Sequence, residues 1–135
     1  MTVRGIPAQM EPLNVCYVLS DRLIGWLIVR ILILGGDGML GHKVFQVLRQ
    51  RFEAYSTFRS TRGITARLPI YEGVEDRFLL TGVNISDFDS VVRAMAKVKP
   101  SVVINCIGII KQLKEASDPI LSLTVNSLFP HQLAD

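Results

Sequence analysis

The chain has 135 residues, 49% apolar and 20% charged, which suits one packed domain and excludes wholesale disorder. A net charge of +3, with no basic patch interleaved with aromatic residues, excludes a typical nucleic-acid binder. Cys16, Cys106, His42 and His131 lack the spacing of a disulfide framework or a zinc site, and two free thiols fit a reducing cytoplasm.

Residues 1–29 differ in character from the rest. The apolar stretch from Leu13 to Leu34 is interrupted by Ser20, Asp21, Arg22 and Arg30. No uninterrupted run reaches the ~20 residues that span a bilayer, and no small-residue cleavage site follows Leu19. Three readings stand: an accessory extension before the first strand, a short membrane-associated anchor, or a domain whose natural start lies near Val29. The expectation is a soluble domain over 30–135 with no membrane partner.

From Arg30 the pattern becomes regular. Ile31–Leu34 is a continuous apolar run ending at glycines, as in a strand buried on both faces. Leu40, Val44, Val47 and Leu48 then form a helical stripe. Ala54–Phe58 is predicted as the second strand. Residues 59–76 form a loop with a short helix or turn, and Phe78–Thr81 form the third strand. Ser86-x-x-Asp89 predicts a capping-box variant at the start of a helix. That helix would bury Phe88, Val91, Val92 and Met95, and end before Pro100. Ser101–Asn105 is the fourth strand. Asp118-Pro119 opens a last helix that bends or breaks near Pro130.

This alternation predicts an α/β fold, a Rossmann-like doubly wound parallel sheet. Right-handed crossovers give the strand order 3-2-1-4, stopping after the fourth strand and its following helix.

The turn Gly35-Gly36-Asp37-Gly38-Met39-Leu40-Gly41 lies between a buried strand and a helix. A helix start offers unpaired N–H groups and a positive dipole end to a phosphate. Gly35 permits the tight turn, Gly38 lets a diphosphate approach the backbone, and Gly41 lets the helix pack on the strand. A P-loop is rejected: after Gly41 come His42 and Lys43, so the lysine is one place late and no hydroxyl is available for magnesium. No Asp or Glu occurs between Ala54 and Tyr71, where an NAD site usually keeps an acid for the ribose. Arg59 stands at the end of the second strand, with Arg62 and Arg67 following. These cations favour a 2′-phosphate, hence NADP over NAD.

Four segments in order carry a resemblance: Ile31–Gly41, Val83–Asp87, Val102–Gly108 and Val125–Pro130. With them the chain, over 30–135, resembles the extended short-chain dehydrogenase/reductase superfamily. Within it, the resemblance is to the branch of dTDP-4-dehydrorhamnose reductases and related sugar-nucleotide-binding proteins. The resemblance implies an NAD(P)-binding domain. Gly35, Gly38, Met39, Leu40 and Gly41 would form the diphosphate turn, and Asn84 and Ile85 would flank the adenine. Cys106, Ile107 and Gly108 would lie along the cofactor. Asn84 replaces the family's usual Asp, and Ile107 is bulkier than its usual alanine. Lys111 would lie in the loop toward nicotinamide, and Asn126 near the active site.

The family's catalytic pair is a Tyr with a Lys four residues on. Four residues after Tyr17, Tyr55 and Tyr71 stand Asp21, Arg59 and Glu75. No catalytic residue is therefore assigned, and the chain alone is expected to bind cofactor without turnover. It reads as the NAD(P)-binding portion of a reductase, incomplete at its C-terminus. The complete enzyme would move hydride from NADPH to a sugar-nucleotide ketone. The alternative is a non-catalytic dinucleotide-binding sensor or scaffold. Ending after the fourth strand would leave a sheet edge open to self-association.

Overall fold

The computed structural model describes residues 29–60, 68–110 and 117–135. The expectations for residues 1–28, Arg62, Arg67 and Lys111 lie outside the described residues.

The elements alternate along the chain. β1 spans Arg30–Leu34, α1 Met39–Leu48 and β2 Glu53–Phe58. Two 3₁₀ turns follow, Pro69–Tyr71 and Asp76–Phe78, leading into the short β3, Leu79–Thr81. Then come α2 (Phe88–Val98), β4 (Val102–Asn105) and a terminal helix. That helix comprises α3 (Pro119–Leu123), a π-helical turn (Thr124–Leu128) and α4 (Phe129–Ala134).

All strand pairs are parallel and the order is β3-β2-β1-β4, as expected from the alternation. β1 is central: Ile31 pairs with Ala54 on one side and Val102 on the other. Its alternate residues feed two cores. Leu32 and Leu34 pack with Val91, Ala94 and Val98 of α2 and with Phe129 of the terminal helix. Ile31 and Ile33 pack with Phe45 of α1, Phe58 and Tyr71. A strand buried on both faces must be apolar at every position, which is why the run Ile31–Leu34 lacks alternation.

Both predicted helix faces need correction. In α1 the buried residues are Gly41 and Phe45, with Val44 and Leu48 half-buried; Leu40 and Val47 are exposed. Gly41 causes the rotation, because it lies against the turn before it, where a Cβ would stand 2.0 Å from the Gly35 carbonyl oxygen. With Gly41 inward, Phe45 follows one turn later. In α2 the buried face is Ser90, Val91, Ala94 and Val98, with Phe88 and Met95 half-buried; Val92 is exposed.

The expected capping box at Ser86 is not formed. The N-cap is Asp87, without a side-chain cap bond, and the Asp87 carboxylate instead pairs with Arg93 at 3.1 Å. The buried Ser90 hydroxyl ties the segment down, donating toward the carbonyls of Asn84 and Asp87 and accepting from the Asn84 N–H at 2.8 Å. Helix α2 ends with Lys99 in the left-handed region (φ 50°), just before Pro100.

Asp118 does cap the last helix, its Oδ1 accepting from Ile120 N–H at 2.9 Å and Leu121 N–H at 3.1 Å. The helix does not break at Pro130. Pro130 brings no N–H to the carbonyl four residues back, and the preceding turn widens so that Phe129 N–H bonds the Thr124 carbonyl.

Candidate functional site

The chain leaves β1 through Gly35, whose φ of 84° puts it in the left-handed region. Its N–H donates to Thr57 Oγ1 at 3.2 Å, and the Gly36 N–H donates to the Thr57 carbonyl at 2.8 Å. The turn is thus anchored to the end of β2. Gly38 N–H closes back on the Gly35 carbonyl at 3.1 Å, and Gly38 then becomes the N-cap of α1. No side chain caps this helix, and its first turn holds no acid. Among the described residues, the N–H groups of Met39 and Leu40 have no acceptor. That is the arrangement in which a helix start accepts an anion.

Beside the turn lies a cleft of about 440 Å³, at the carboxyl ends of β1, β2 and β4. In open parallel sheets this is where ligands bind, next to the point where strand order reverses. Here the reversal falls between β1 and β4.

The cleft brings together eight of the residues singled out from sequence: Gly35, Gly38, Arg59, Asn84, Ile85, Cys106, Ile107 and Gly108. Met39, Leu40 and Gly41 are not part of its wall. Met39 and Leu40 are 82% and 63% exposed, and their candidate contribution is the backbone N–H. Gly41 is buried under the turn. Arg62 lies outside the described residues.

Local bonds shape each wall. Asn105 Oδ1 accepts from the Ile107 N–H at 3.0 Å and turns the chain away from β4. Ile107 then closes on Gly35, where a Cβ would come within 2.8 Å of Ile107 Cγ1. The bulk of Ile107 and the glycine at 35 are therefore complementary. Asn84 Oδ1 accepts from the Ser86 N–H at 3.1 Å, which folds residues 84–86 along the cleft. Asn126 reaches across from the π-helical turn and binds both backbone groups of Ile109. Burial pushes the Cys106 thiol above its ordinary value of 9.0, so it faces the cleft protonated near neutral pH.

Sequence reasoning missed Asp37, Thr57, Val83, Ser86, Ile109, Leu121 and Val125 in the lining. Asp37 could have been suspected, since it stands inside the glycine turn. Thr57 carries no signal of its own; its role follows from the register that puts it beside Gly35. Among the described residues there is no cluster of metal-ligating side chains, and no helix is long and apolar enough to cross a membrane.

The 3-2-1-4 sheet, the glycine turn and the cleft at the strand ends define a Rossmann-type nucleotide-binding domain. The profile of the NAD dependent epimerase/dehydratase family matches residues 31–135, and the chain belongs to that family. The family is NAD dependent by its description.

Solved structures agree on the fold. UDP-glucose 4-epimerase of Thermus thermophilus, in complex with NAD, shares 25% identity with a TM-score of 0.58, over 78% of this chain and 32% of its own. The UDP-Glc/GlcNAc 4-epimerase of Campylobacter jejuni shares 20% identity with a TM-score of 0.60, over 78% and 32%. L-threonine dehydrogenase of Clostridium difficile shares 16% identity with a TM-score of 0.59, over 79% and 33%. The chain thus spans about a third of the length of these structures. No curated protein matches it significantly.

Proposed function

We propose that residues 30–135 form the cofactor-binding portion of an NADPH-dependent reductase similar to dTDP-4-dehydrorhamnose reductase, acting on a sugar-nucleotide ketone. The observation that carries the dinucleotide reading is the glycine turn, with its unpaired helix-start amides, opening on a cleft at the point of strand reversal. The residues present fit the group. Glycine stands at 38, in the cleft wall beside the helix-start amides, and a Cβ there would occupy the approach to them, 3.3 Å from the Gly35 carbonyl oxygen.

In this reading the amides of Met39 and Leu40 hold the diphosphate, and Gly38 leaves room for it. Asn84 and Ile85 flank the adenine. Cys106, Ile107 and Gly108 run along the ribose and nicotinamide side. Arg59, exposed at the end of β2, pairs with the 2′-phosphate, with Arg62 as its sequence neighbour in that role. The bound nicotinamide supplies the hydride, while this chain's residues bind and orient it. The reductase branch is supported by the ordered segments Ile31–Gly41, Val83–Asp87, Val102–Gly108 and Val125–Pro130.

The 135 residues contain no Tyr-x-x-x-Lys pair, so carbonyl protonation is assigned to further chain in a complete enzyme. Titrating the chain with NADPH and with NADH, while following nicotinamide fluorescence, tests the reading. Saturable binding without turnover, tighter for NADPH, is the expected result. Absence of binding by either dinucleotide refutes it, and hydride transfer by the chain alone refutes the catalytic assignment.

A further inference from the structure

The structure assigns Tyr71 as a positioning residue for the diphosphate turn: its buried hydroxyl holds the Gly36 carbonyl inward, so that the turn presents N–H groups rather than a carbonyl to an anion. This rests on the dinucleotide reading above.

Tyr71 ends a 3₁₀ turn that follows β2 and is wholly buried beneath the glycine turn. It is not part of the cleft wall. Its ring is clamped edge-on by Phe58 at 4.9 Å and tilted against Phe45 at 5.1 Å. Its hydroxyl donates to the Gly36 carbonyl at 2.7 Å and lies 3.1 Å from Ser56 Oγ. With the phenol proton committed to Gly36, the Ser56 hydroxyl is the donor to the phenol oxygen.

The space under Gly36 is filled by these two hydroxyls. A Cβ there would stand 1.9 Å from Ser56 Oγ and 3.0 Å from the Tyr71 oxygen. Above them, the Gly36 N–H is held by the Thr57 carbonyl. Both polar groups of Gly36 are therefore absorbed by the interior. Tyr71 is the donor that holds this carbonyl inward, and a carbonyl released from that bond gains by turning toward solvent, the side where a diphosphate would meet it. A carbonyl oxygen facing a diphosphate is repulsive, so Tyr71 acts on anion affinity without touching the anion.

The test compares ADP and adenosine binding to the whole chain, unmodified and as Tyr71→Phe, by calorimetry. Phe keeps the ring packing and deletes only the hydroxyl. The expected result is ADP affinity lowered about tenfold with adenosine changed less than about twofold, since only ADP carries the diphosphate. Equal losses for both ligands, or no change in a folded variant, overturn the assignment. If Tyr71→Phe fails to fold, Ser56→Ala serves instead: it removes the donor to the phenol and should weaken ADP alone, by about two- to threefold. An unchanged ratio of ADP to adenosine affinity in that variant overturns the proposal. If the unmodified chain binds neither ADP nor NADH, it is the dinucleotide reading that fails, and this inference falls with it.

Discussion

The carboxamide of Asn126 grips both backbone groups of Ile109: Oδ1 accepts its N–H at 2.8 Å and Nδ2 donates to its carbonyl at 2.9 Å. This pair fastens the loop after β4 to the π-helical turn of the terminal helix, and so fixes the cleft wall at Gly108 and Ile109. Asn126→Leu removes both bonds, and Asn126→Asp keeps the acceptor but loses the donor. Because the side chain is exposed, we expect a modest destabilisation of about 0.5–1.5 kcal/mol for Leu and less for Asp. Urea unfolding measures this. A Leu variant as stable as the parent would mean the pairing contributes nothing.

In the dinucleotide reading, the glycines of the turn separate into those that serve the fold and those that serve a ligand. Gly41→Ala puts a Cβ 2.0 Å from a backbone oxygen, which no rotamer change relieves. We expect it to destabilise by more than about 2 kcal/mol. Gly38→Ala meets nothing closer than 3.3 Å. It should leave stability within about 1 kcal/mol and yet weaken NADPH at least about tenfold, by filling the approach to the turn. Thermal unfolding and NADPH titration of both variants check the contrast, and it fails if Gly38→Ala binds normally.

What is legible in the sequence is mostly local or set by burial. β1 announces itself because a strand covered on both faces must be apolar throughout, and Asp118-Pro119 announces a helix start because capping needs only neighbours. The face of α1 is not legible in the same way: hydrophobicity places Leu40 and Val47 inward, whereas the contact of Gly41 with Gly35 sets the helix rotation. Ser86 does not act as a cap because Asn84 Oδ1 takes its N–H, the group a capping box would bind, and the helix starts one residue later at Asp87. The bond from Tyr71 to Gly36 joins residues 35 apart and leaves no sequence signal. Thr57 and Asp37 enter the cleft through parallel register and turn shape, which one sequence does not print.

Arg59 carries the cofactor preference in our reading. Arg59→Ala should weaken NADPH by about 1.5–3 kcal/mol, roughly ten- to a hundredfold, through loss of a charge-assisted bond to the 2′-phosphate. NADH should change only a few-fold. The gap should narrow at high salt, since Arg59 is exposed. Equal losses for the two dinucleotides would place the 2′-phosphate elsewhere.

β4 pairs only with β1 among the described residues, and Val102 on it is 44% exposed. An apolar strand with one open edge is a template for pairing. We expect concentration-dependent self-association of this 135-residue chain in sedimentation velocity, reduced by Val102→Lys. A charge on an edge strand opposes such pairing. Monodisperse monomer at high concentration would remove the edge from consideration.

Stability should fall in alkali, and Tyr71 should account for part of the fall. Burial is the chief reason its hydroxyl ionises above the ordinary 10.0, with the Ser56 bond opposing the effect and Asp37 adding to it. A folded pKa above the unfolded one means that the neutral phenol contributes its full stabilisation below about pH 10 and loses it as pH rises through the folded value. Tyr55 and Cys106 are shifted the same way, each first by burial, so the decline should begin near the ordinary thiol range and steepen beyond about pH 10. Urea unfolding at about pH 8 and about pH 10.5 should show the parent chain losing stability between the two. Tyr71→Phe has no buried phenol to ionise, so its loss over the same interval should be smaller, even if it starts from a lower stability at about pH 8. Among the described residues, Tyr55 and Cys106 contribute to the residual slope. A variant with an alkaline slope equal to the parent's would show that the buried hydroxyl does not titrate with the fold.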